Sequence, residues 1–105
     1  MATQFWDYQE KIAYSQEKAN KVQLGASEIS RATLWCLLPG QHIHPHIHAG
    51  DHIWMVLEGS GEFLQADQDP VGIAPGTVLL APAGDSHGVN NTGAEGLVFL
   101  SISAG

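Results

Sequence analysis

Turn signals recur so closely between Ile29 and Ile102 that no long helix fits between them. Pro39-Gly40, Gly59-Ser60-Gly61, Asp67-Gln68-Asp69-Pro70, Pro75-Gly76 and Pro82-Ala83-Gly84 cut this stretch into pieces of strand length. Ile29 to Leu38 is apolar-rich and stops at the first of these turns. His52 to Leu57 is a near-continuous run of β-formers closed by the glycines at 59 and 61. Glu62 to Gln65 reads as a short strand paired with that run through the glycine turn. Thr77 to Ala81 and Leu97 to Ile102 add two more strands. The expectation is an all-β chain, a sandwich or a barrel. Phe5 to Leu24 is polar and ambiguous, either a short helix or one or two edge strands leading into the barrel. The division this suggests is residues 1–28 as an N-terminal arm or edge strands and residues 29–105 as the barrel domain.

The chain has 105 residues, 44% of them hydrophobic and 14% charged, which suits one domain with a single core. No apolar run approaches the ~20 residues a membrane-crossing helix needs. Met1 to Tyr8 lack the basic start and apolar stretch of a secretory signal, so a soluble, cytoplasmic protein is expected. The single cysteine, Cys36, excludes an intramolecular disulfide, and its neighbours Leu34, Trp35, Leu37 and Leu38 mark it as a small buried hydrophobe. A net charge of −7 argues against nucleic acid and against anionic membranes as partners. All four basic residues, Lys11, Lys18, Lys21 and Arg31, precede Ala32. A site built by the rest of the chain is therefore expected to have almost no side-chain cation to hold a phosphate or free carboxylate.

Five of the six histidines fall between residues 42 and 52: His42, His44, His46, His48 and His52. Alternate side chains of a strand share a face, so His46 and His48 can point into one cavity. His52 follows after the short bend Ala49-Gly50-Asp51. A fourth ligand must come from elsewhere, and His87 is the one histidine left. Neutral imidazole suits Mn, Fe, Co, Ni, Cu and Zn. Read alone, the cluster fits either such a metal site or a histidine-rich solvated loop. His42 and His44 share the ligand face only if strand alternation runs back uninterrupted through Pro45, which has no amide proton to give the ladder. They are rim residues, proton-transfer groups or replacement ligands; His44 with His46 is the alternative ligand pair.

Fixed spacings extend beyond the histidines. Five residues separate Gly40 from His46-Ile47-His48, three more lead to His52 and six more to Gly59. Later, five residues separate Gly76 from Pro82-Ala83-Gly84, two more lead to His87 and three more to Asn91. These two segments, sixteen residues apart, resemble the two motifs of the cupin superfamily, and the likeness spans Gly40 to Asn91. The departure is His52, where most members carry glutamate. The resemblance implies a single small jelly-roll-like β-barrel, often a homodimer, with one divalent transition metal ion in the barrel mouth. It maps His46, His48, His52 and His87 onto the metal ligands and Asn91 onto a turn-stabilising position. Gly40, Gly59, Gly76 and Gly84 would take turn conformations with positive φ.

Four neutral ligands leave the full +2 charge on an ion, which acidifies bound water, attracts enolates and disfavours the +3 state. Without glutamate at 52 the nearby acids are Asp51 and Asp85, each expected as a turn residue or solvated acid before a catalytic base. An octahedral ion would keep two adjacent positions open, whereas a closed tetrahedral zinc would only staple the barrel. Alternation from His52 aims Trp54 and Val56 inward. Phe63 or Leu64 and Phe99 or Leu100 add apolar walls, or all of these are plain core. The expected partner is a small neutral or enolisable substrate. The expected activity is a metal-dependent oxidoreductase of the dioxygenase or C–C-cleaving type. A non-redox cyclase or isomerase and a non-catalytic binding module are the alternatives. Metal affinity is expected to fall below about pH 6 as imidazoles protonate.

Overall fold

The computed structural model describes residues 2–105, which form a helical turn and nine strands. These are α1 (Tyr8–Lys11), β1 (Asn20–Ala26), β2 (Ser30–Leu37), β3 (His42–Ile47), β4 (Asp51–Glu58), β5 (Gly61–Gln65), β6 (Val71–Ile73), β7 (Val78–Ala81), β8 (Ser86–Asn90) and β9 (Leu97–Ala104). They build two antiparallel sheets, ordered β1-β2-β9-β4-β7 and β3-β8-β5-β6, packed face to face as a jelly-roll. The ambiguous N-terminal stretch supplies both a helical turn and one edge strand. Asp7 caps the turn by accepting a hydrogen bond from the Gln9 amide at 3.0 Å.

Period-two alternation decides which side chains meet between the sheets. Leu37 on β2, Trp54 and Val56 on β4, Phe63 on β5, Val89 on β8 and Leu97 and Phe99 on β9 form the inner core. Each such aromatic or aliphatic side chain contributes roughly 1.5–3 kcal/mol by leaving water. The intervening residues Leu34, Cys36 and Val98 point the other way, where Tyr8, Ile12, Val22 and Leu24 cover them. Strand β2 is therefore buried on both faces, which explains its nearly unbroken apolar sequence. Cys36 sits in this outer cluster, fully buried, and burial pushes its thiol pKa up.

One expected pairing is not made. β4 and β5 do not form a hairpin: β4 pairs with β7 and β9, and β5 with β6 and β8. The glycine turn is real, but it carries the chain from one sheet to the other. Gly59 adopts φ 76°, and a Cβ there would collide with the Gly96 carbonyl. Both strands bury one face toward the same core, so they meet through their side chains, with the Trp54 and Phe63 rings perpendicular at 5.3 Å. Gly40, Gly76 and Gly84 also take positive φ, as their turns require. Strands β6 and β8 have no clear sequence signal, being short and, for Ser86–Asn90, mostly polar.

Candidate metal centre

Histidines from three different segments converge at one end of the barrel. His52 opens β4 on its inward face, and His87 lies on β8, flanked by β3 and β5. His48 lies in the bend just after β3. The metal-binding nitrogens of His48, His52 and His87 all lie within 4.8 Å of one another. Ring centroids are 4.0 Å apart for His48 and His87, 4.4 Å for His48 and His52, and 5.3 Å for His52 and His87.

His46 stands beside this group without joining it. Its ring lies 4.0 Å from that of His48, and its Cα is paired with His87 across β3 and β8. Its Nδ1 is 3.0 Å from the His44 carbonyl oxygen. A carbonyl only accepts, so Nδ1 donates this bond, and Nε2 is the nitrogen left for a ligand role.

A bulge in β3 interrupts the alternation. The β3–β8 register shifts between Ile43 and His46, across His44-Pro45. Ile43 turns to the core, while His42 and His44 are exposed and face each other, their Nε2 atoms 3.0 Å apart. Neither borders the histidine-lined cavity. The bulge rests directly on Gly88, where a Cβ would lie 2.6 Å from the Pro45 nitrogen and 2.9 Å from the His44 carbonyl carbon. Gly88 thus admits the close backbone approach that orients the histidines.

His87 provides the direct test of fit for a metal ion. It is 2% exposed, and neither buried ring nitrogen makes a hydrogen bond of good geometry, although the Asp85 backbone lies close enough to oppose the burial effect on its pKa. Two unsatisfied nitrogens in a core are costly unless something coordinates one of them. The residues present fit a divalent transition ion. Burial, then the neighbouring imidazoles, pushes the pKa of both His48 and His87 down to about 4, so both are neutral and ligand-competent near neutrality. His52 is lowered as well, first by burial and then by Arg31, with His46 and Lys21 adding to it.

Aromatic rings underlie the histidines. Phe63 stacks on His87 at 5.9 Å, Trp54 meets it edge-on at 5.6 Å, and Phe99 stacks on Trp54 at 4.2 Å. Trp54 borders the cavity, whereas Phe63 borders a separate hollow of about 330 Å³ on another side of His87. Val56 and Phe99 sit one layer deeper, 1% and 0% exposed, and do not reach the cavity. Each two-residue step along a strand descends ~6.6 Å into the barrel, which takes them past its floor. Asp51 and Asp85 do not line this cavity either. Asp51 instead accepts a hydrogen bond from the Ala83 amide, a turn role. Buried Asn91 donates to the Leu37 and Glu95 carbonyls and accepts from the Gly93 amide, also a structural role.

The cavity itself, about 410 Å³, overturns the expectation of a site without side-chain cations. Lys21 of β1 and Arg31 of β2 both line it. Their distance from the histidines in sequence concealed this; β1 and β2 belong to the same sheet as β4, and only the strand order brings them to the same mouth.

The Cupin domain family model matches residues 33–103. An oxalate-binding protein of Thermotoga maritima is 37% identical over 67 residues, 63% of this chain and 54% of that protein. A gentisate 1,2-dioxygenase of a Ralstonia species is 30% identical over 66 residues, 63% of this chain and 19% of that enzyme. The chain thus spans about half the length of the first of these relatives and about a fifth of the second. A crystal structure of an uncharacterized conserved protein with a double-stranded β-helix domain from Klebsiella pneumoniae superposes with a TM-score of 0.91 at 26% identity, covering 98% of this chain and 90% of that one. With the paired sheets, the two turn-bounded histidine segments and a family match over most of its length, the chain belongs to the cupin family.

Proposed function

We propose that the chain holds one divalent transition metal ion through His48, His52 and His87, with His46 Nε2 as the fourth donor, and acts as a metal-dependent oxidoreductase on a small enolisable molecule. The observation that carries this reading is the buried His87 ring, whose nitrogens have no partner and face two further imidazoles. When bound, a redox-active ion of this class supplies Lewis acidity and electron transfer to O₂. The histidines contribute four imidazole donors, and no Asp or Glu side chain lines the cavity to act as a base. Trp54 closes the floor of the cavity, while Thr33, Ser101 and Ser103 offer hydroxyls to a bound molecule. Similarity to a gentisate 1,2-dioxygenase supports oxidative chemistry.

A second reading, a non-catalytic binding module, is favoured by the similarity to an oxalate-binding protein. Oxygen uptake by Fe(II)- or Mn(II)-loaded protein with enolisable diketones supports the enzyme. A large metal-dependent rise in melting temperature without uptake supports the module. We also propose a homodimer joined through the outer face of β4 and β7. There Ile53 pairs with Leu80 and Met55 with Val78, all four exposed and apolar. A monomer by sedimentation at micromolar concentration counts against that pairing.

A further inference from the structure

We propose that the cavity takes a small dianion with two separated carboxylates, one facing the histidine cluster and the other held by Arg31, with Lys21 as a further positive charge. The inference rests on the metal-centre reading above and names the substrate class of that site.

Charge segregation is the first observation. The chain carries eleven acidic and four basic residues, yet two of the four bases and no Asp or Glu side chain line this cavity, whose lining also includes Gly105. On a chain of net charge −7, this is the reverse of what an acidic surface would provide by chance. A neutral ligand would leave both cations facing an ion of like sign. An anion at each end removes that repulsion.

Register supplies the second. Arg31 is the cross-strand partner of Ser103, and Ser103 is the partner of His52. The three residues therefore stand side by side on adjacent strands β2, β9 and β4. At ~4.8 Å per strand, the Arg31 and His52 backbones lie roughly 10 Å apart. One row deeper, Thr33, Ser101 and Trp54 repeat the arrangement. The cavity is thus polar and cationic along one sheet, with its metal-binding nitrogens at the far end of the row. A guanidinium holds a carboxylate through two parallel hydrogen bonds, a geometry that an ammonium cannot supply. Lys21 lies across from Trp35 in the β1–β2 register, two rows below Arg31, its Nζ 6.0 Å from the Trp35 ring centroid, and adds a second positive charge to the lining.

Isothermal titration of Zn(II)-loaded protein with succinate, butyrate and succinamide tests the assignment, with Zn(II) affinity measured separately. Succinate is expected to bind at least about tenfold more tightly than butyrate, with succinamide weakest. Arg31→Met is expected to erase most of that preference while Zn(II) affinity is unchanged or modestly tighter, and Arg31→Lys to recover part of it. Equal affinity for succinate and butyrate, or an Arg31→Met protein that keeps the preference, overturns the inference even if zinc binds tightly. Failure of the wild-type chain to bind Zn(II) overturns the metal reading instead. The succinate preference of the metal-free protein, and its loss in Arg31→Met, then decides the cationic clamp alone.

Discussion

The Asp51 carboxylate accepts a hydrogen bond from the Ala83 backbone amide at 2.8 Å, joining the segment that carries His48 and His52 to the turn that leads into His87. A second bond, from the Gly84 amide to the His48 carbonyl at 2.8 Å, reinforces it. The two histidine segments are thus clamped together by groups that are not themselves candidate ligands. Asp51→Ala is expected to cost about 1 kcal/mol, since the contact is exposed, and to lower metal affinity several-fold. Asp51→Asn keeps an acceptor oxygen and should recover most of both. Thermal melts and metal titrations of the two variants measure this. Equal loss in Ala and Asn would show that charge, not the bond, matters.

Gly88 is the floor on which the β3 bulge rests. Gly88→Ala places a methyl against the Ile43 carbonyl and the His44-Pro45 peptide, all backbone, which cannot swing aside. The expected cost is about 1–3 kcal/mol, with a loss of metal affinity as His46 and His48 move off the centre. A variant with wild-type metal affinity would mean that the bulge does not orient these rings.

Replacing His87 should separate stability from binding. In His87→Phe the two unpartnered buried nitrogens disappear and a ring of similar shape remains between Phe63 and Trp54. The metal-free variant is expected to melt at a higher temperature than metal-free wild type, by the equivalent of about 1–3 kcal/mol, and to bind metal far more weakly. Retention of wild-type metal affinity would remove His87 from the centre.

Acid should act on the metal-free protein in a defined window. His48 and His87 have folded-state pKa values of about 4 against an ordinary 6.5, lowered first by burial. As pH falls below 6.5 the unfolded chain takes up these protons while the folded one refuses them, so stability declines until pH approaches 4. Above 6.5 this contribution is fully present. A melting temperature flat from pH 7 to 4.5 would contradict the burial of these rings.

The turn residues determined much of this protein. Gly40, Gly59, Gly76 and Gly84 mark positive-φ turns because only a residue without Cβ enters them freely, and the apolar runs between them alternate inward and outward. Histidine spacing, read with the resemblance to the cupin motifs, pointed to His46, His48, His52 and His87; the structure groups the last three and leaves His46 beside them. Tertiary structure decided the rest. Whether β4 pairs with β5 depends on which sheet each strand joins, and local turn chemistry does not encode that. The bulge at His44-Pro45, which turns His42 and His44 outward, depends on contact with Gly88, more than forty residues away. The placement of Lys21 and Arg31 in the cavity follows from the order β1-β2-β9-β4, a long-range pairing that brings distant charges beside the histidines. Local sequence carries the period of a strand; only the closed sheet determines its neighbours.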